Sequence, residues 1–237
     1  MDIRQVPSKY WDERNSNIDM LIVHCSAHNT NDMIDVLECC KLSTHYIIGL
    51  EGEITQLVSD EKRAWHAGVS YWRGKDNLNH RSIGVEISSL SMGQDKFNNQ
   101  QIHSIEELFK RLIVDYNIQP QNIVGHSDVA PTRKVDPGIA FPWKYLASKG
   151  IGLWYDSDFN GDIIQDEAYL LSKIGYNIDN LEAARCAFCR HFIPECIETN
   201  KNLSYLIEHP VCAIKNYDMY LKVLNACFDV YKNIDLK

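Results

Sequence analysis

The chain has no apolar run near the ~20 residues that a membrane-spanning helix requires. It also lacks a basic excess: 24 Lys and Arg stand against 32 Asp and Glu, so no basic stripe is available for nucleic acid. Its first residues do not show the basic start and apolar core of a secretory signal. The eight cysteines are therefore expected to be reduced thiols. These absences predict a cytoplasmic protein with no membrane span and no nucleic-acid partner; export by an unrecognised route is the alternative.

The hydrophobic pattern predicts strands and helices in the first two thirds of the chain and only helices in the rest. Buried strands are expected over 18–24, 82–87 and 122–124, and a hairpin over 46–58. A strongly amphipathic helix is expected over 102–116. The composition turns polar and acidic around 154–161, and no β-rich run follows. We therefore expect two domains, residues 1–155 and a smaller, all-helical one over 156–237.

Two of the predicted strands end on a histidine, His24 and His126. Open α/β sheets usually place their sites at the carboxyl ends of strands. His126 begins a proline- and glycine-punctuated loop, residues 126–138, in which Lys134 and Asp136 share one side if the backbone is extended. Imidazole and carboxylate both suit zinc, and a catalytic zinc needs three protein ligands. The alternative is a turn-rich surface loop with structural histidines.

Two other stretches have both a functional and a structural interpretation. The motif Trp65-His66-Ala67-Gly68 begins an aromatic loop that can line a pocket for a sugar or a peptide. The alternative is a long loop whose tryptophans only anchor it to the rest of the domain. Glu86 lies within an otherwise apolar strand, where a carboxylate is costly to bury unless it is paired or used. Near a metal it could take a proton from water; otherwise it would form a buried salt bridge.

The helical part contains five of the eight cysteines. Cys186 and Cys189, with His191 and Cys196 nearby, resemble a structural zinc cluster. The first two fall on one turn of a predicted helix, so small core positions explain them equally well.

Together, His24, the Trp65-His66-Ala67-Gly68 motif, the strand around Glu86 and residues 125–138 resemble the zinc-dependent N-acetylmuramoyl-L-alanine amidases of the AmpD type. The resemblance covers residues 18–150. It implies a mixed sheet flanked by helices, one catalytic zinc, and cleavage of the amide that joins muramic acid to L-alanine in peptidoglycan. The helical part resembles the peptidoglycan-binding module of some of these amidases, at Ile174-Gly175-Tyr176 and over residues 187–192.

The resemblance also implies roles for single residues. The zinc ligands would be His24, His126 and Asp136. Glu86 would handle the proton and Lys134 would steady the oxyanion. We further expect three residues to contact the substrate: Trp65, His66 and Tyr46.

Other functions stay open from the sequence. A non-catalytic peptidoglycan-binding protein on the same fold usually lacks a complete ligand set, which is present here. A zinc peptidase of another kind has no His-Glu-x-x-His helix to support it, and a regulatory role would draw on the helical part. The expected partners are peptidoglycan or muropeptide fragments. A binding module favours the polymer, whereas the missing signal favours soluble fragments, and the oligomeric state is not indicated.

Overall fold

A computed structural model describes residues 1–198, 200 and 202–235. Residues 199, 201, 236 and 237, which belong to the expected second domain, lie outside the described part. The strands are β1 (Ile3–Gln5), β2 (Trp11–Glu13), β3 (Met20–Ser26), β4 (Tyr46–Ile48), β5 (Ile54–Gln56), β6 (Lys62–Ala64), β7 (Tyr71–Trp72), β8 (Lys75–Asp76), β9 (Ser82–Ser88) and β10 (Ile123–Gly125). The helices are α1 (Thr30–Cys39), α2 (Asn99–Tyr116), α3 (His126–Val129), α4 (Trp143–Ser148), α5 (Glu167–Ile174), α6 (Leu181–Phe192), α7 (Leu203–Glu208) and α8 (Tyr217–Asp235).

Six strands form the central sheet in the order β1-β5-β4-β9-β3-β10. All neighbouring pairs are parallel except β4 with β5, which form the hairpin expected from the sequence. The prediction of an α/β fold with a mixed sheet flanked by helices is therefore confirmed. The long strands β3 and β9 lie side by side at the centre, and this pairing places His24 directly opposite Glu86.

The two faces of the sheet are covered differently. Alternation along β3 sends Leu21 and Val23 to a core shared with α2 and α4. Met20 and Ile22 point to the other face, where they join a core that continues into the helices beyond residue 166. His24 shares this second face, as the alternation predicts. Helix α1 covers the part of this face that lies over β4, through Met33.

Helix α2 has the local signals that its sequence predicts. Asn98 accepts a hydrogen bond from the backbone of Gln101, whose side chain bonds back to the Asn98 backbone, and this capping box satisfies two free N–H groups. The helix ends at Asn117, which adopts the left-handed conformation that stops a helix. It presents Ile105, Leu108 and further apolar residues to the sheet.

The region beyond residue 166 is helical, as expected, apart from a bridge between Ile197 and Ile214. It packs tightly on the first part of the chain. The Trp72 ring lies 5.0 Å from the Tyr176 ring, edge to face, and the backbone N–H of Arg73 donates to the carbonyl of Gly175. No helix in the described ranges is long and apolar enough to cross a membrane.

Some local features were not predicted from the sequence. No strand was expected before residue 18, but β1 adds to the central sheet and β2 pairs with β6. These strands have only three residues each, so their pairing comes from tertiary contacts and not from an apolar period. The adjacent Cys39 and Cys40 are exposed at the end of α1. All eight cysteines are free thiols.

Candidate functional site

Three residues named as metal ligands meet at the carboxyl ends of β3 and β10. His24 lies near the end of β3, and His126 follows directly after the parallel neighbour β10. The loop after α3 returns to the same place, because the backbone N–H of Ser127 donates to the carbonyl of Asp136 at 2.8 Å. One nitrogen of each histidine and one oxygen of Asp136 lie within 4.8 Å of one another, and the three side chains are buried.

The atoms that face one another in this cluster are all acceptors. His24 Nδ1 lies 2.9 Å from His126 Nδ1. Asp136 Oδ2 lies 3.4 Å from the His24 nitrogen and 3.1 Å from the His126 nitrogen. The other nitrogen of His126, Nε2, lies 3.2 Å from the carbonyl of Ala67. A carbonyl only accepts, so Nε2 holds the proton and Nδ1 presents a lone pair to the cluster.

A chain of hydrogen bonds fixes the proton of His24 in the same way. Ser82 donates its hydroxyl to the carbonyl of Leu78 at 2.8 Å, so its oxygen accepts from Nε2 of His66 at 3.3 Å. His66 Nδ1 then accepts from Nε2–H of His24 at 2.9 Å. The His66 ring fits because Gly84 has no side chain: a Cβ there would lie 2.5 Å from the ring. His66 thus orients a candidate ligand, a role that the sequence did not indicate.

The charges of the three side chains in this cluster favour the binding of a cation. Burial first, and then the neighbouring His126, lower the pKa of His24 to about 4, so the imidazole is neutral at pH 7. Burial alone would raise the pKa of Asp136, but the two histidines packed against its carboxyl group hold that pKa well below its usual range. The cluster therefore offers two imidazole nitrogens and one ionised carboxylate.

The donor set fits a zinc ion. Ligand atoms about 2 Å from a tetrahedral ion lie roughly 3.3 Å from one another, and the three distances of 2.9, 3.1 and 3.4 Å are close to that value. Two nitrogens and one oxygen are also among the atoms that zinc prefers. Three lone pairs converging in a buried space repel one another unless a cation lies between them.

Glu86 and Lys134 lie beside the cluster. Glu86 extends from β9 on the same face as His24. Burial first, and then the negative charge of Asp136, raise the pKa of Glu86 to about 8, against the opposing positive charge of Lys134. Among the residues that the structure describes, Glu86 Oε2 is a buried oxygen with no hydrogen-bond partner. The site thus has a carboxyl group that can exchange a proton near neutral pH.

The structure does not bring Tyr46 to this cluster. Tyr46 is in register with Val85 on the neighbouring strand, so its side chain lies on the opposite face of the sheet. Its hydroxyl donates to Asp60 at 2.6 Å and accepts from Gln56 at 2.9 Å and Arg111 at 2.7 Å. The expectation that Tyr46 contacts a substrate here is therefore corrected: alternation along β4 turns it away, and its hydroxyl is already bound.

Trp65 directly precedes His66 and is half-buried. Its backbone N–H donates to Ser43 at 2.9 Å, and its ring lies 6.2 Å from the ring of Tyr10. The contact of Trp65 with a substrate stays a prediction.

Among the residues that the structure describes, the cysteines of the helical region are not gathered as metal ligands would be. Cys186 and Cys189 are buried on α6, where they pack in the core. Within the described ranges, His24, His126 and Asp136 are the one set of three side chains gathered as metal ligands would be. Core packing, the alternative that the sequence left open, accounts for both cysteines.

Comparison with known proteins gives consistent results. The family model described as N-acetylmuramoyl-L-alanine amidase matches residues 14–139, more than half of the chain. The amidase AmiD of Escherichia coli is 37% identical over 154 residues, which cover 59% of this chain and 56% of AmiD. The 1,6-anhydro-N-acetylmuramyl-L-alanine amidase AmpD of Haemophilus influenzae is 40% identical over 110 residues, covering 46% and 59%. The chain thus spans a little over half the length of these curated relatives.

Solved structures extend the likeness over most of the chain. E. coli AmiD, in complex with the substrate anhydro-N-acetylmuramic acid-L-Ala-D-γ-Glu-L-Lys, has a TM-score of 0.73 at 28% identity and covers 94% of this chain and 99% of its own. AmpDh3 from Pseudomonas aeruginosa has a TM-score of 0.74 at 29% identity, covering 92% and 93%. An AmpD structure covers only 62% of this chain, with a TM-score of 0.57 at 31% identity and 93% of its own length. With its convergent ligand cluster on this sheet, the chain belongs to the N-acetylmuramoyl-L-alanine amidase family.

Proposed function

We propose that this protein hydrolyses the amide bond between N-acetylmuramic acid and L-alanine, with one zinc ion held by His24, His126 and Asp136. The observation that carries the proposal is the convergence of three buried lone-pair atoms beside an unpartnered carboxyl oxygen, in a chain of this family. When bound, zinc supplies a positive centre that acidifies water and polarises the substrate carbonyl. Three protein ligands leave the fourth position free, as catalytic sites require.

In this proposal Glu86 moves the proton. It accepts a proton from the attacking water and returns it to the leaving nitrogen, since an amide breaks only when that nitrogen is protonated. Burial and then Asp136 raise the pKa of Glu86 to about 8, a value that suits both accepting this proton and releasing it near neutral pH. The buried Oε2, which has no partner among the described residues, is available to receive the proton.

Lys134 offers positive charge where the carbonyl oxygen becomes negative. It is half-buried in the loop between His126 and Asp136, and its charge acts on Glu86. Removing one such stabilising group typically costs ~3 kcal/mol in the barrier. Lys134→Met is therefore expected to reduce turnover ~100-fold with little change in zinc binding, whereas Lys144→Met, on the exposed side of α4, serves as the matched control.

The proposed substrates are muropeptides or the peptidoglycan from which they come. The related AmiD and AmpDh3 have been solved with anhydro-muramic peptides, which supports a muramoyl peptide as the ligand class. We propose that the half-buried Trp65 contacts the sugar with its ring. Turnover on insoluble sacculi compared with soluble muropeptides distinguishes the two forms, and cell fractionation tests the expected cytoplasmic location.

The division of labour along the chain is also a proposal. Residues 1–155 would form the catalytic part, and residues 156–237 a helical part that resembles a peptidoglycan-binding module. The complete set of three ligands, with Glu86 beside them, favours catalysis over the non-catalytic binding alternative.

One assay tests the proposed reaction. The purified full chain is incubated with a soluble muropeptide, and release of the L-alanyl peptide is measured with and without a chelator. We expect release that the chelator abolishes and added zinc restores. Zinc-loaded protein that leaves the muramoyl–alanine amide intact would contradict the proposal, and binding to sacculi without release would favour the non-catalytic alternative.

A further inference from the structure

Asp128 is a second buried carboxylate, two residues after His126, and it is 1% exposed. Its Oδ2 accepts a hydrogen bond from the backbone N–H of Gly125 at 2.7 Å and lies 2.8 Å from Nδ1 of His191. Its Oδ1 accepts from the hydroxyl of Tyr176 at 2.7 Å. The first bond is local, whereas the other two reach into the helical region.

The two helical partners of Asp128 are held firmly in place. The His191 ring stacks on Trp143, with centroids 4.0 Å apart and planes 14° apart, and on Phe192 at 4.1 Å. Tyr176 follows the end of α5 and is 1% exposed. Side chains fixed in this way lose little further freedom when they bind Asp128, so they can hold its carboxylate in one position.

The position of Asp128 bears on the metal ligands. The N–H that it binds belongs to Gly125, the residue immediately before His126. On the other side, Ser127 binds the backbone carbonyl of Asp136. The loop that carries two of the three ligands is therefore tied to β10, to itself and, through Asp128, to the helical region. Because a metal site tolerates displacements of only ~0.5 Å, a loose loop would weaken it.

We propose that Tyr176 and His191 are positioning residues of the metal site, which act through Asp128 on the loop that presents His126 and Asp136. The helical region then helps to position the metal ligands, independently of any ligand on its outer surface. This inference rests on the proposed metal site, but it concerns the affinity of the protein for the ion and requires no substrate.

Three variants of the full chain test the inference. Tyr176→Phe removes one donor to Asp128 and keeps the ring. His191→Phe removes the other donor and keeps a flat ring against Trp143, whereas His191→Asn keeps a nitrogen donor and loses the stacking. Tyr220→Phe is the matched control, because Tyr220 is an equally buried tyrosine of the helical region that belongs to α8 and is not bonded to Asp128.

The measurement is the dissociation constant of Zn²⁺ for metal-free protein, by competition with a chromophoric chelator, with the unfolding free energy measured in parallel. We expect Tyr176→Phe and His191→Phe each to raise this constant ~10-fold or more, as is typical for groups behind metal ligands. His191→Asn should recover part of the affinity lost in His191→Phe. Tyr220→Phe should leave the constant within about twofold of the wild type.

The outcomes separate the possible failures. Folded Tyr176→Phe and His191→Phe proteins that bind zinc as tightly as the wild type would overturn this inference and leave Asp128 a purely structural role. A wild-type chain that binds no zinc would instead refute the proposed metal site. If His191→Phe does not fold, the milder Tyr176→Phe decides the question alone.

Discussion

Two buried histidine–aspartate clusters lie next to each other in this molecule, and they differ in where the protons are. Around Asp128, an amide, a hydroxyl and an imidazole all point hydrogens at the carboxylate. Around Asp136, two imidazole nitrogens present lone pairs to the carboxylate and to each other. The carboxylate of Asp128 thus has its hydrogen-bond donors within the protein, whereas the lone pairs around Asp136 are compensated only when a cation lies between them.

The comparison shows that residue type does not decide the role of a buried carboxylate. Asp128 lies in α3 and Asp136 lies eight positions further along, in the loop after that helix, and each contacts histidine. His126 donates its Nε2–H to the Ala67 carbonyl and turns the lone pair of Nδ1 to Asp136, whereas His191 turns a donor, Nδ1–H, to Asp128. The hydrogen bond behind His126 thus makes its cluster a candidate metal centre.

The largest expected effect is a loss of zinc affinity when the Asp136 cluster is given hydrogen-bond donors, as the Asp128 cluster has. Asp136→Asn introduces an N–H₂ group that can donate to the two imidazole lone pairs. We expect zinc affinity to fall by more than ~100-fold, beyond the range for groups behind the ligands, and amide hydrolysis to be lost. Metal-free protein should remain folded, as urea unfolding in chelator would show. A variant that binds zinc normally would remove Asp136 from the ligand set.

The next effect separates proton transfer from metal binding. Glu86→Gln keeps the shape of the side chain and removes its ability to take a proton. Turnover should fall 10²- to 10⁴-fold, the usual contribution of a general base, while the zinc dissociation constant stays near the wild-type value. Glu107→Gln, at an exposed carboxylate of α2, is the control. Near-normal turnover of Glu86→Gln would exclude it as the base.

A single methyl group tests the hydrogen bond behind His24. In Gly84→Ala, the new Cβ would meet the His66 ring at 2.5 Å and push it away from Nε2 of His24. We expect zinc affinity to fall 10- to 100-fold and the fold to lose ~1–3 kcal/mol.

The control for this prediction is a double-mutant cycle. If Gly84→Ala acts through His66, adding it to His66→Ala should change the zinc dissociation constant no further. Additive effects of the two substitutions would show that Gly84 influences the site by another route.

The smallest effect concerns a histidine of the same face that is not a ligand. His45 Nδ1 accepts from the Gly84 N–H, and its Nε2 lies 2.8 Å from Nη2 of Arg14 and 3.1 Å from the Lys62 carbonyl. Burial, then the charge of Arg14, lowers the pKa of His45 to about 3. The unfolded histidine titrates near 6.5, so the unfolded chain binds more protons between these values.

The unfolding free energy should therefore be highest above pH 6.5 and should fall as the pH decreases towards 3, with His45 contributing about 1.4 kcal/mol per pH unit. His45→Asn keeps an acceptor for the Gly84 N–H and does not titrate. Urea unfolding of metal-free protein between pH 7 and 4 should give a shallower pH dependence for the variant. Parallel curves for the two proteins would contradict the assignment.

The sequence was informative where a local pattern has one physical solution. The apolar run ending at His24, the hairpin and the period of α2 all predicted the observed elements, because a strand or helix with one apolar face must bury it. The short strands β1, β2 and β6 were missed, since three residues carry no period. Tyr46 was misplaced because residue type does not tell which face of a strand a side chain takes.

The sequence by itself determined the chemical groups of the site: two histidines at strand ends, a carboxylate on the following loop, and Glu86 and Lys134 nearby. Only the tertiary structure decided which atoms face one another. The lone pairs of His24 and His126 point inward because Ser82, through His66, and Ala67 fix the protons on the far side of each ring, and Asp128 joins the loop to helices about 50 residues further along. Such hydrogen bonds depend on distances between segments far apart in the chain, and no local pattern of residues records them.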